Sequence, residues 1–164
     1  MNNKINQNVP FFNTQIVNGQ YDFAKVAEKV LNSWWYILGA EVTSFEAEYA
    51  QYLNVPHCIS VANGTEALEI ALKSVGVVSG DKVVAVANAG FYSSTAIYAV
   101  GAKPLYVDIC PESLTMSSTS FADALSHQPK AVIVTHLYGQ LAPEIEEIVK
   151  LAKDAGIVVI EDCA

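Results

Sequence analysis

Positive charge is scarce in this chain: 9 lysine and arginine residues stand against 17 aspartate and glutamate, a net charge of −8. A surface that tracks a nucleic-acid backbone needs a basic stripe, so this balance argues against a nucleic-acid partner. It leaves room for a local phosphate site built from backbone N–H groups. Long apolar runs are also missing. The longest stretches, such as Val83–Ala87 and Ala131–Val134, fall far short of the roughly 18 residues that cross a membrane as a helix. The opening MNNKINQNVPFFN is polar and carries no apolar run before a small-residue cleavage site, so no signal peptide is expected. Cysteine is limited to Cys58, Cys110 and Cys163, an odd number at unrelated spacings. The expectation is reduced, mostly buried thiols in a cytoplasmic protein.

Several catalytic signatures are absent as well. There is no GxGxxG and no GxxxxGK[ST], so dinucleotide and P-loop readings lack their phosphate cradles. No GxSxG elbow is present for a serine hydrolase. His57, His127 and His136 do not combine with the cysteines at structural zinc spacing, and no metal site is expected.

What is present is a chain of 164 residues, 52% hydrophobic and 16% charged, with a mean hydropathy of +0.28. From about residue 56, apolar β-branched runs alternate with helical periodicity. The strand candidates are His57–Val61, Lys82–Val86, Lys103–Asp108, Ala131–Thr135 and Ile157–Glu161. They are nearly continuous in Val, Ile and Ala, as strands covered on both faces should be. Thr65–Val75 places Leu68, Ala71, Leu72 and Val75 on one helical face, and Glu144–Ala155 repeats the pattern with Ile145, Ile148, Val149 and Ala152. Pro143 precedes the second helix and Gly156 follows it, each at a favoured end. Ser117–Ser120 reads as the cap of a further short helix.

This rhythm predicts an α/β fold, a mostly parallel sheet with helices on both faces. Ahead of it, residues 1–54 form an N-terminal segment with two amphipathic helices, Tyr21–Tyr36 and Glu41–Leu53, separated by Gly39. Residues 55–164 then form an α/β domain that stops at the strand IVVIEDCA with no element to pack over it. That domain is expected to be incomplete, part of a longer protein.

In an open α/β sheet, ligands gather at the carboxyl ends of the strands. There the sequence puts Asn63–Glu66, Asn88–Ser93, Asp108, His136–Gly139 and Glu161–Asp162. Gly64-Thr65 opens a helix, whose first N–H groups and positive dipole end can hold a phosphate; the plainer reading is a helix cap using Asn63 or Thr65. Phe91 or Tyr92 could cover a flat heterocycle, or simply pack. Asp162 could keep a pyridinium nitrogen protonated, or serve as a turn or cap residue. For His136 the plain reading is a hydrogen-bonded histidine at a strand end.

Taken together, the segments WWYILGA (34–40), FEAEYA (45–50), ISVANGTEAL (59–68), NAGFYSSTAI (88–97), GAKPLYVD (101–108), HLYGQ (136–140) and VIEDCA (159–164) resemble the DegT/DnrJ/EryC1/StrS family of sugar aminotransferases. These are pyridoxal 5'-phosphate (PLP) enzymes of fold-type I. The resemblance implies that this chain supplies part of the large PLP-binding domain, without the C-terminal small domain. It assigns Gly64, Thr65 and Glu66 to the PLP phosphate and Asp162 to the pyridine nitrogen. The usual ring-stacking aromatic position falls on Gly90, which leaves Phe91 or Tyr92 to cover the ring.

It further implies a homodimer that transfers an amino group, with glutamate as donor, to a nucleotide-linked keto-hexose. The NAGFYSST and HLYGQ forms favour a dTDP-linked 3-keto sugar. None of Lys73, Lys82, Lys103, Lys130 and Lys150 matches the context of the family's Schiff-base lysine, which is expected beyond Ala164, so these residues alone should not be a competent enzyme. Two rivals remain: a PLP- or PMP-dependent sugar dehydratase with histidine in place of that lysine, and a non-catalytic nucleotide-binding module.

Overall fold

The computed structural model describes residues 12–164. The chain divides into two compact units, the first ending at Ser60 and the second running Val61–Ala164.

Among the described residues of the first unit lie three helices, one more than expected: α1 (Thr14–Asn18), α2 (Phe23–Ser33) and α3 (Ala40–Leu53). Asn13 and Asp22 cap α1 and α2 by accepting the Ile16 and Lys25 N–H groups. The predicted helix over 21–36 is shorter than expected because Trp34 adopts a left-handed conformation (φ 59°) and ends α2. Gly39 then becomes the cap of α3. Between them the run Trp34–Leu38 is exposed throughout.

In the second unit the order is α4 (Gly64–Ser74), β1 (Lys82–Val86), α5 (Tyr92–Ala99), β2 (Lys103–Val107), α6 (Ser118–Ala124), β3 (Ala131–Thr135), α7 (Ile145–Asp154) and β4 (Val158–Asp162). The four strands form one sheet in the order β2-β1-β3-β4, and every pairing is parallel. From β1 to β2 the chain steps one way along the sheet; from β2 to β3 and β3 to β4 it steps the other. Right-handed crossovers then require helices on opposite faces, and that is the arrangement found. Leu68 and Leu72 of α4 and Ala96 and Ile97 of α5 pack with Val83, Ala85, Ala131 and Ile133. Phe121 and Ala124 of α6 and Ile148 and Ala152 of α7 pack with Val84, Val86, Val132 and Val134 on the other face. Alternate residues of β1 and β3 thus feed separate cores. β3 is buried at every position.

Two expectations are corrected. His57–Val61 forms no strand. A strand exists only where a neighbour pairs its N–H and C=O groups, and the sheet ends at β2 and β4 without pairing this segment; instead Ser60 N–H donates to Glu46 Oε1 at 2.7 Å. The cysteines are not mostly buried: Cys58 and Cys110 are half-buried and Cys163 is exposed. All three are free thiols, as expected. Among the described residues no helix is long and apolar enough to cross a membrane.

Candidate functional site

The all-parallel sheet gathers its carboxyl ends at one rim, and strand alternation sorts the side chains there by face. On β3, Ala131 and Ile133 face α4 and α5, so Thr135 does too. On β4, Ile160 packs into the same core and Asp162 follows it. Asp162 lies in register with Thr135. Val134 belongs to the opposite core, and His136 and Glu161 fall on that side.

The rim on the α4–α5 face is built as follows. Asn63 caps α4 by accepting the Glu66 N–H at 3.0 Å, while a Glu66 carboxylate oxygen accepts the Ala62 N–H at 3.2 Å. This reciprocal cap fixes the turn. The N–H groups of Gly64 and Thr65, the first two of the helix, have no intrahelical acceptor and stand at its positive end. A side chain at Gly64 would meet Ala164 Cβ at 3.5 Å. The turn at the start of α4 and the residues just after β4 therefore adjoin. None of the chain's nine basic residues is arginine, so an anion here would rely on backbone donors and the Thr65 hydroxyl.

Asp162 is half-buried. Its Oδ1 accepts the Ala164 N–H at 3.2 Å and its Oδ2 accepts the Thr135 hydroxyl at 3.4 Å. A carboxylate has about four acceptor positions, so capacity remains for a cationic N–H. Next to it, partial desolvation of the sulfur and then the carboxylates of Glu161 and Asp162 push the Cys163 thiol above its ordinary range. That shift disfavours the thiolate, the reactive form.

At the end of β1, Gly90 (φ 66°) and Phe91 (φ 68°) are consecutive left-handed residues ahead of α5. For Phe91 that conformation is strained. The Tyr92 ring lies over Gly90: a Cβ added there would come within 2.7 Å of Tyr92 Cε2. Both aromatic side chains are exposed.

The residues expected to act together thus share one face: Gly64, Thr65 and Glu66 at the start of α4, Phe91 and Tyr92 at the start of α5, and Asp162 at the end of β4. Glu66 contributes as the cap of its own turn. His136 takes the plain role: it is buried, its Nδ1 accepts the Ala142 N–H at 3.0 Å, and Nε2 therefore carries the proton toward Glu161 Oε2 at 2.9 Å. Sequence reasoning missed Thr135, although the one polar residue closing an otherwise aliphatic strand is a visible signal.

The five lysines weighed above lie elsewhere. Lys82 and Lys103 begin β1 and β2, and Lys130 immediately precedes β3, all away from the carboxyl rim. Lys73 and Lys150 pair with Glu69 and Glu147.

One face of the rim thus combines unpaired helix N–H groups at Gly64 and Thr65 with the Asp162 carboxylate. The sequence pattern described as the DegT/DnrJ/EryC1/StrS aminotransferase family matches residues 18–164. The chain is 39% identical over 143 residues to the dTDP-3-amino-3,4,6-trideoxy-alpha-D-glucose transaminase of Micromonospora megalomicea subsp. nigra, covering 87% of this chain and 38% of that protein. It is 35% identical over 158 residues to the dTDP-3-amino-3,6-dideoxy-alpha-D-galactopyranose transaminase of Aneurinibacillus thermoaerophilus, covering 95% and 43%. Its fold is similar to the crystal structure of S. venezuelae DesV in complex with ketimine intermediate, with a TM-score of 0.89 at 31% identity over 95% of this chain and 42% of that one. The chain spans about two fifths of the length of these relatives.

Proposed function

The chain belongs to the DegT/DnrJ/EryC1/StrS aminotransferase family, and from that premise we propose that the whole protein is a PLP-dependent aminotransferase that makes an amino sugar from a nucleotide-linked keto-hexose. The names of the similar transaminases favour a dTDP-linked sugar aminated at position 3. Glutamate is the proposed donor, the cytoplasm the proposed location and a homodimer the proposed assembly. The run Trp34–Leu38 supports the last point, since five consecutive exposed apolar side chains form the kind of surface a subunit contact covers.

The residues present suit the cofactor. The free N–H groups of Gly64 and Thr65, with the Thr65 hydroxyl, would hold the phosphate, and Glu66 would keep that turn in shape. Asp162 would hold a proton on the pyridine nitrogen, and Phe91 or Tyr92 would cover a face of the ring. When bound, PLP supplies the carbonyl that carries the amino group and the ring that accepts electron density. The carboxylate's part is to keep the ring nitrogen cationic, so that electron density is drawn off during proton transfer. The lysine for covalent attachment would come from outside these residues.

One observation carries this reading: the phosphate-type turn of α4 and the Asp162 carboxylate share one face of the sheet, with Gly64 adjoining Ala164. The test uses full-length protein purified with PLP. It should show cofactor absorbance and convert a dTDP-3-keto-hexose to the amino sugar with glutamate, followed by mass spectrometry. Asp162→Ala should cost on the order of 10²–10³ in kcat, as loss of a preorganised electrostatic partner does. Cofactor-free protein, or an unimpaired Asp162→Ala variant, would overturn the proposal. A deoxygenated product in place of an amino sugar would make the protein a dehydratase instead.

A further inference from the structure

Asp162 ends β4, an edge strand of this sheet, and its side chain could swing about two bonds if nothing held it. Two hydrogen bonds restrain it. One comes from the Ala164 N–H, close along the chain. The other, long at 3.4 Å, comes from the Thr135 hydroxyl, on the neighbouring strand and directly in register. Thr135 is 8% exposed, and among the described residues its hydroxyl makes this one hydrogen bond.

The strand that presents Thr135 is well fixed. All five residues of β3 are buried, and the backbone N–H of His136 donates to the Asp162 carbonyl at 2.9 Å. On the other face of the sheet the His136 ring is held between the Ala142 N–H and Glu161. A hydroxyl on so restrained a backbone can set the orientation of a carboxylate. The Ala164 N–H alone leaves Oδ2 free to turn toward water.

We propose that Thr135 is a positioning residue for Asp162, its hydroxyl fixing Oδ2 so that the carboxylate faces the cofactor's ring nitrogen. This rests on the role of Asp162 given above. Thr135 does not itself touch the cofactor. Its effect is on how firmly and in what orientation the ring is held.

The test compares the full-length parent with Thr135→Val, Thr135→Ala, Thr135→Ser and Asp162→Asn. Valine keeps the branched shape and removes the hydroxyl; alanine removes it with less bulk, should valine disturb folding. PLP binding is measured by equilibrium dialysis, ring orientation by the circular dichroism induced in the cofactor's absorption band, and folding by the melting of cofactor-free protein. Valine and alanine should each raise the PLP Kd about three- to ten-fold, the range for an ordinary hydrogen bond and in keeping with the 3.4 Å separation, and reduce the induced signal. Serine should restore both, with the cofactor-free proteins all still melting in one cooperative transition.

Unaltered Kd and induced signal in the valine and alanine variants, with both lost in Asp162→Asn, would overturn the inference and leave the function intact. A serine variant as impaired as valine would overturn it too, since the methyl and not the hydroxyl would then matter. Unaltered binding and signal in Asp162→Asn would overturn the reading of Asp162 itself, and this inference with it.

Discussion

Asn63 caps α4, and that role can be separated experimentally from the phosphate site proposed beside it. Its side-chain oxygen accepts the Glu66 N–H, and loss of such a cap costs about 1 kcal/mol. Asn63→Ala should therefore lower the unfolding free energy of the full-length protein by that amount, read as a lower urea midpoint at unchanged slope. Asn63→Asp retains the acceptor and should keep the midpoint, yet it sets a negative charge beside the proposed phosphate and should weaken PLP binding. Equal PLP affinity in Asn63→Asp and the parent would argue that no anion sits at this turn. Single residues of the site were legible in proportion to how local their signal is. Gly64-Thr65 between a polar turn and an apolar helix face, and Asp162 closing an aliphatic run, both announce themselves. Thr135 does not, because its partner is set by strand register. Nor can the sequence choose between Phe91 and Tyr92, whose directions depend on two successive left-handed residues.

Among the elements, α6 and α7 are joined at their starts by one carboxylate. Glu144, at the cap of α7, accepts both the Ser118 N–H at 2.8 Å and the Ser118 hydroxyl at 2.6 Å. Those bonds hold its carboxyl below the ordinary carboxylate range. A folded-state value depressed in this way contributes stability at neutral pH that is lost as pH falls through it. Urea midpoints measured from neutral to acid pH should thus fall less steeply for Glu144→Gln than for the parent in that acid window, and the variant should be less stable at neutral pH. The helices with clean periodicity, α3, α4 and α7, could be placed from sequence within a residue or two. Helix α5 could not. Its first residues, Tyr92-Ser93-Ser94-Thr95, are poor helix formers, and Phe91 offers no side-chain cap. His57–Val61 failed in the other direction, since apolar composition alone cannot supply a strand's neighbour.

For the whole sheet, depth should translate into protection. The central strands β1 and β3 hold Val83–Val86 and Ala131–Val134 out of solvent, whereas β2 and β4 each have exposed positions. Amide exchange should be slowest in those central segments and faster along β2 and β4; uniform exchange across the four strands would contradict this ordering. The adjacency of Gly64 and Ala164 carries a last consequence. The two sides of the site lie nearly the full length of the α/β unit apart in sequence, and every strand intervenes between them. Such distant pairings form late and cost loop entropy, so the proposed site comes together only when the sheet is complete. A ligand bridging its sides would act as a clasp, and its binding energy would be felt as resistance to global unfolding.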